Sequence, residues 1–265
     1  LDATPPRADE TVFGPQGLRA VFSGEHAWCG EKMMLSSDLD NAMPIRDFFE
    51  SGTFATGLDT YAQTHGVDRR AVASYWSLYY FSALSIPYIV ARRADLALPI
   101  AVDDMTIALA DDGLPRAFGL PRTGDWCEDD TPLELVRPLV SAHLGEVVAH
   151  LKRFGGMAPK LGWNNAAVYI DYAINATEPV SRAASPATGE AGGDAQRAPD
   201  EWTARALFEE KTFADGSPNP FHGSLRHELA EGQVQCRRKV CCLRYLLPGI
   251  PSCGELCALP DQRKH

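Results

Sequence analysis

Cysteine is nearly absent from most of this chain: the first 235 residues hold only Cys29 and Cys127. A secreted domain built on disulfides spaces its cysteines throughout, so sparse, unpaired thiols point to a reducing, cytoplasmic compartment. Residues 1–20 carry Pro5, Pro6, Asp9 and Glu10 and contain no leader-like apolar run. Basic charge is also in short supply. Lys and Arg number 25 against 35 Asp and Glu, a net charge of −10, which argues against a nucleic-acid partner. There is no G-x-G-x-x-G and no Walker loop, so nothing provides for nicotinamide, flavin or nucleotide. Any redox chemistry must therefore draw its electrons from another protein. The longest uncharged run, Ala71 to Ala91, has membrane length, but it contains four serines and Pro87. A buried helix is expected there and no transmembrane segment, which leaves room for peripheral membrane contact.

What the first 235 residues lack is concentrated at the end. Five cysteines fall between 236 and 257, and four of them read Cys241-Cys242-x10-Cys253-x3-Cys257. Three chemistries compete. A disulfide between neighbours is strained, and 265 residues can build a core without staples. A structural zinc usually takes C-x2-4-C pairs; Cys253 and Cys257 comply, whereas the adjacent Cys241-Cys242 makes a poor knuckle. A [2Fe–2S] cluster takes two thiolates on each of two irons and tolerates more divergent ligands. The intervening 243–252 segment is largely apolar with two prolines, a stiff shield against water.

These residues carry a resemblance. The run Arg237-Arg238-Lys239-Val240-Cys241-Cys242-Leu243-Arg244-Tyr245, followed by Cys253-Gly254-Glu255-Leu256-Cys257, resembles the tail of the FhuF-type ferric siderophore reductases. Their C-C-x10-C-x2-C signature holds a [2Fe–2S] cluster. The segments 68–76 (DRRAVASYW) and 163–169 (WNNAAVY) also resemble that family. The resemblance implies one-electron reduction of Fe(III) in a ferric siderophore of the hydroxamate class, with Fe(II) released in the cytoplasm. It implies a cluster on Cys241, Cys242, Cys253 and Cys257, fed by an external donor of ferredoxin or flavin-reductase type. Here the last gap is three residues rather than two, so a one-residue bulge must absorb the late Cys257. Cys236 is a spare thiol nearby, read as a bystander, with a substitute ligand as the alternative. Two rival readings stay open: a zinc-stabilised, non-catalytic binding module, and a [2Fe–2S] electron carrier or redox sensor without a siderophore substrate.

Substrate-binding candidates are softer. Arg238 and Lys239 belong to a basic knot that suits a solvated strand end, docking of an acidic donor, or damping of a cluster's negative charge. Trp76, Tyr79 and Tyr80 form an aromatic stripe that suits core packing; Trp76 and Tyr80 are also candidates for a rigid face against a bulky siderophore. His143, Glu146 and His150 share a helix without a metal-site spacing. His227-Glu228-Leu229-Ala230-Glu231 misses the zinc-protease pattern.

The fold class expected is α+β, mostly helical, with a small antiparallel sheet and an irregular C-terminal iron–sulfur segment. Residues 1–178 form the main domain, 179–199 a disordered loop or linker, and 200–265 the segment carrying the cysteines. A helix starts at the N-cap Asp68 and ends or kinks before Pro87. Ile100–Leu109 and Leu114–Leu120 flank Asp111-Asp112-Gly113 as a hairpin. A capping box at Thr131–Glu134 opens a helix bent by Pro138 and closed at Gly155. Further helices cover 164–177 and 200–210.

Overall fold

The computed structural model describes residues 15–65, 68–127, 131–177, 204–230, 233–259 and 261. The expected linker, 179–199, lies outside the described residues. In chain order the elements are α1 (Pro15–Val21), β1 (Met33–Leu35), β2 (Met43–Pro44), α2 (Ile45–Glu50), α3 (Thr53–His65), α4 (Arg69–Arg93), β3 (Leu96–Ala97), β4 (Thr106–Leu109), β5 (Pro115–Leu120) and β6 (Asp125–Trp126). They continue with α5 (Pro132–Leu139), a π turn at Val140–Leu144, α6 (Gly145–Gly155), α7 (Pro159–Ala176), α8 (Arg205–Glu209), β7 (Leu225–Ala230) and β8 (Gln233–Arg238). The protein is mostly helical with a small sheet, as its patterning suggests.

The centre is α4. Its N-cap is Asp68, whose carboxylate accepts the amides of Arg70 and Ala71 at 3.0 and 3.2 Å. Twenty of its 25 residues are buried, which is what a helix apolar on nearly all sides requires. The helix continues through Pro87 to Arg93 instead of ending there. Neighbours enclose that turn, so packing offsets the lost backbone bond, a cost of about 3 kcal/mol. Against α4 lie α3, α6, α7 and β5. Gly155 lets α6 touch α4, since a Cβ there would run into the Ala73 methyl.

The main sheet has the order β1-β5-β4-β2. It is mixed, not wholly antiparallel: β1 pairs parallel to β5, with Met33 opposite Phe118. The legible part was the β4–β5 hairpin. Its turn is closed by Gly113 N–H to the Ala110 carbonyl (2.9 Å), with Gly113 at φ +83°. The indole of Trp76 donates to the Gly113 carbonyl at 2.9 Å and ties the turn to α4. Thr131 caps α5 as its sequence predicts. After Pro138 the backbone widens into the π turn, which carries His143 into the core. The left-handed C-cap of α6 is Gly156, at φ +66°, one residue later than expected.

Beyond the undescribed stretch, Leu207, Phe208, Phe221, Leu225 and Leu247 join the same core cluster as α4. The β7–β8 hairpin lies on α7 and delivers the chain to the cysteines.

Candidate metal centre

Strand alternation builds the approach to the site. On β8, Gln235 and Arg237 share one face, whereas Cys236 and Arg238 share the other. The ladder runs to Leu225 opposite Arg238. The chain then leaves the strand, and Leu243 turns it in the left-handed region at φ +62°. That turn aims the Leu243 N–H at the Cys241 sulfur (3.3 Å). Ser74, on α4, donates its hydroxyl to the Cys242 carbonyl at 2.8 Å and pins the loop to the central helix. The chain returns through Ser252, whose Oγ accepts the Gly254 N–H at 3.1 Å. Between Cys253 and Cys257, Gly254–Leu256 makes one 3-10 turn with Gly254 at φ +59°. This turn takes up the additional residue of the x3 gap.

Cys241, Cys242, Cys253 and Cys257 thus line one small recess, with Arg244, Tyr245 and Ser252 on its wall. Cys242 and Cys257 are buried and the other two half-buried. The sulfurs of Cys242 and Cys253 are 3.9 Å apart. Two thiolates on one tetrahedral metal, each at about 2.3 Å, lie about 3.8 Å apart, so this pair already has the spacing of ligands to one ion. The S–H···S contact with Cys253, and then Arg238 and Arg244, pull the Cys242 thiol down to about 5. Cys253 is pushed up as the proton-bearing partner, and burial pushes Cys241 up.

Behind the recess stands Arg238, only 4% exposed. Its Nη1 donates to Asn165 Oδ1 at 2.7 Å and lies 3.5 Å from the Asn164 carbonyl and side-chain oxygens. The Asn165 amide in turn donates to the Ser74 carbonyl and to the hydroxyls of Ser74 and Ser77 at 3.0–3.1 Å. Arg238 Nε has no hydrogen-bond partner, and the guanidinium makes no ion pair with a carboxylate among the described residues. A buried charge without a counter-ion costs several kcal/mol. The cysteines, on which Arg238 acts electrostatically, are where that counter-charge is available. Four sulfur donors, one pair at ligand spacing and a buried cation fit a thiolate-bound metal ion or iron–sulfur group.

The other expected site residues are dispersed. Trp76 and Tyr80 are fully buried in the core; Trp76 packs on Phe48 and Phe54, and Tyr80 bonds His143 at 2.7 Å. Arg238 is inside, facing the cysteines from behind, and Lys239 is exposed. The aromatic group on the recess wall is Tyr245 instead, and Tyr75 and Tyr79 lie beside the wall residue Arg244. Tyr245 is 51% and Tyr79 39% exposed. The Tyr75 and Tyr79 hydroxyls are 3.1 Å apart, and the Arg244 guanidinium lies 5.2 Å from the Tyr75 ring centre. Tyr75 and Tyr79 are spaced i,i+4 on α4, one residue out of phase with Trp76 and Tyr80. That spacing is the signal by which they were detectable.

The family model described as ferric iron reductase FhuF-like transporter matches residues 74–233, more than half of the chain. The chain belongs to the FhuF family. The match begins at Ser74, takes in Asn164 and Asn165, and stops before the cysteines. A relative, the ferric siderophore reductase of Escherichia coli (strain K12), is 26% identical over 194 residues. That alignment covers 71% of this chain and 66% of the relative, just under two thirds of its length. Among the described residues of this FhuF family member, no helix is long and apolar enough to cross a membrane.

Proposed function

We propose that this FhuF family member is a siderophore-iron reductase acting in the cytoplasm on ferric siderophores of the hydroxamate class. The single observation that carries the reading is Arg238: a buried cation without a carboxylate partner among the described residues, set against four converging cysteines. Cys241, Cys242, Cys253 and Cys257 would hold a [2Fe–2S] cluster. When bound, such a cluster supplies a one-electron couple close to the surface.

The chain's own residues do the rest. Ser74 fixes the Cys242 backbone. Arg238 and Arg244 place positive charge beside the thiolates, favouring the more negative, reduced charge state. The 243–252 loop covers one side of the recess, and its half-exposed Tyr245, with Tyr79 nearby, offers rigid aromatic surface to a bulky chelate. The substrate's Fe(III) gains one electron and becomes Fe(II). Hard oxygen donors hold Fe(II) far less firmly, so the siderophore then yields it. The electron enters from a ferredoxin or flavin-reductase type protein, in keeping with the absence of a nucleotide or flavin motif from the sequence.

The test is direct mixing of dithionite-reduced, desalted protein with ferrioxamine in the presence of a ferrous chelator. The expected result is about one ferrous complex per chain from the wild type and none from Cys242→Ser. Undiminished ferrous release by Cys242→Ser contradicts the proposal.

A further inference from the structure

We propose that Asp171, His227 and Cys236 form a second site, separate from the four-cysteine recess, that takes a divalent first-row metal ion such as zinc. The three residues come from α7, β7 and β8. His227 and Cys236 are register partners in the hairpin, so their side chains leave it on the same face. Asp171 lies seven residues, two turns, beyond Asn164 on α7 and so on the same helix face. The hairpin therefore meets α7 at two levels. Arg238 meets Asn164 and Asn165 at the first; Cys236 and His227 meet Asp171 at the second.

The ligand atoms of the three side chains lie within 4.8 Å of one another. His227 Nε2 is 2.8 Å from Asp171 Oδ1, and the Asp171 side chain is only 6% exposed. The Phe208 ring packs beside the imidazole at 5.4 Å between centres. One carboxylate oxygen, one imidazole nitrogen and one thiolate sulfur are the three donor types zinc binds, at about 2.0–2.3 Å. Three protein ligands leave a fourth position for water, reached from the partly exposed His227 side. Binding displaces the Cys236 S–H proton and moves the His227 Nε2 proton to Nδ1, so that both ligand atoms present lone pairs to the ion. The set rests on its own geometry and does not depend on siderophore reduction.

The test uses protein carrying its iron, dialysed against buffered Zn2+ and analysed for both metals. The expected result is one zinc per chain with the iron content unchanged. His227→Ala and Cys236→Ser should each bind at least about 100-fold more weakly, since losing even an outer-shell partner costs 10–100-fold. In the wild type, Zn2+ should also slow iodoacetamide modification of Cys236, followed by peptide mass. No added zinc, zinc retained unchanged in both variants, zinc that replaces iron mole for mole, or an unchanged Cys236 modification rate each overturns the proposal. The trio would then be hydrogen-bonded only.

Discussion

Arg238 Nη1 sits 2.7 Å from Asn165 Oδ1, a contact between residues 73 apart in sequence. The same Asn165 amide donates to Ser74, and Ser74 holds the Cys242 carbonyl. One amide therefore fixes both the buried cation behind the cysteines and the backbone of one of them. Every donor and acceptor of this relay is buried, where a lost partner is costly.

Replacing Arg238 with Gln keeps a polar group near Asn165 and removes the charge. Taking positive charge away from a group that becomes more negative on reduction should lower its midpoint potential, on the order of tens of millivolts. A redox titration of wild type and variant at equal iron content measures this. An unchanged midpoint would mean that Arg238 does not face the redox centre.

The cysteines should divide into two classes. Cys257→Ser should lose the bound iron and its visible absorbance, because Cys257 lines the recess. Cys236→Ser should retain both, because its sulfur is directed to Asp171 and His227. Iron analysis of the two purified variants decides the point.

The gathering of the four cysteines, the N-caps Asp68 and Thr131 and the Asp111–Gly113 turn were legible in the sequence, for a physical reason: they are local signals. The parallel pairing of β1 with β5 depends on a three-residue strand joined across more than 80 residues. No window contains that pairing. The inward turn of Arg238 is likewise non-local. Its chemistry was visible as a basic knot, but alternation alone does not say which face of β8 meets α7. On α4 the phase was ambiguous because the helix is apolar on nearly every side. Trp76 and Tyr80 therefore went to the core, and Tyr79 to the surface. His227 was read against a protease pattern, whereas its partners lie on another strand and another helix.

Gly155→Ala should destabilise the fold without touching the recess. The added methyl would meet Ala73 across the α4–α6 contact. Overpacking of this kind costs about 1–3 kcal/mol, to be seen as a lower denaturation midpoint with iron content unchanged. A neutral result would show that the two helices separate freely.

His143 is fully buried between the Tyr80 hydroxyl and the Ile100 carbonyl, each 2.7 Å away. Burial lowers its pKa to about 4, against about 6.5 for an unfolded histidine. The folded state thus refuses a proton that the unfolded state accepts. This contribution to stability is complete above about pH 6.5 and is lost as pH falls toward 4. The loss amounts to about 3 kcal/mol. Urea denaturation at pH 7 and pH 4.5 should show a smaller pH effect in His143→Gln than in the wild type. Equal effects would assign the acid sensitivity to other groups.

Whether Cys241, Cys242, Cys253 and Cys257 together hold a two-iron, two-sulfide group is decided by iron, zinc and acid-labile sulfide analysis of anaerobically purified protein, with a visible spectrum of the same sample. About two irons and two sulfides per chain are expected, with a red-brown spectrum that bleaches on dithionite. Zinc without sulfide, in a colourless protein whose zinc is lost in Cys242→Ser, would contradict that expectation.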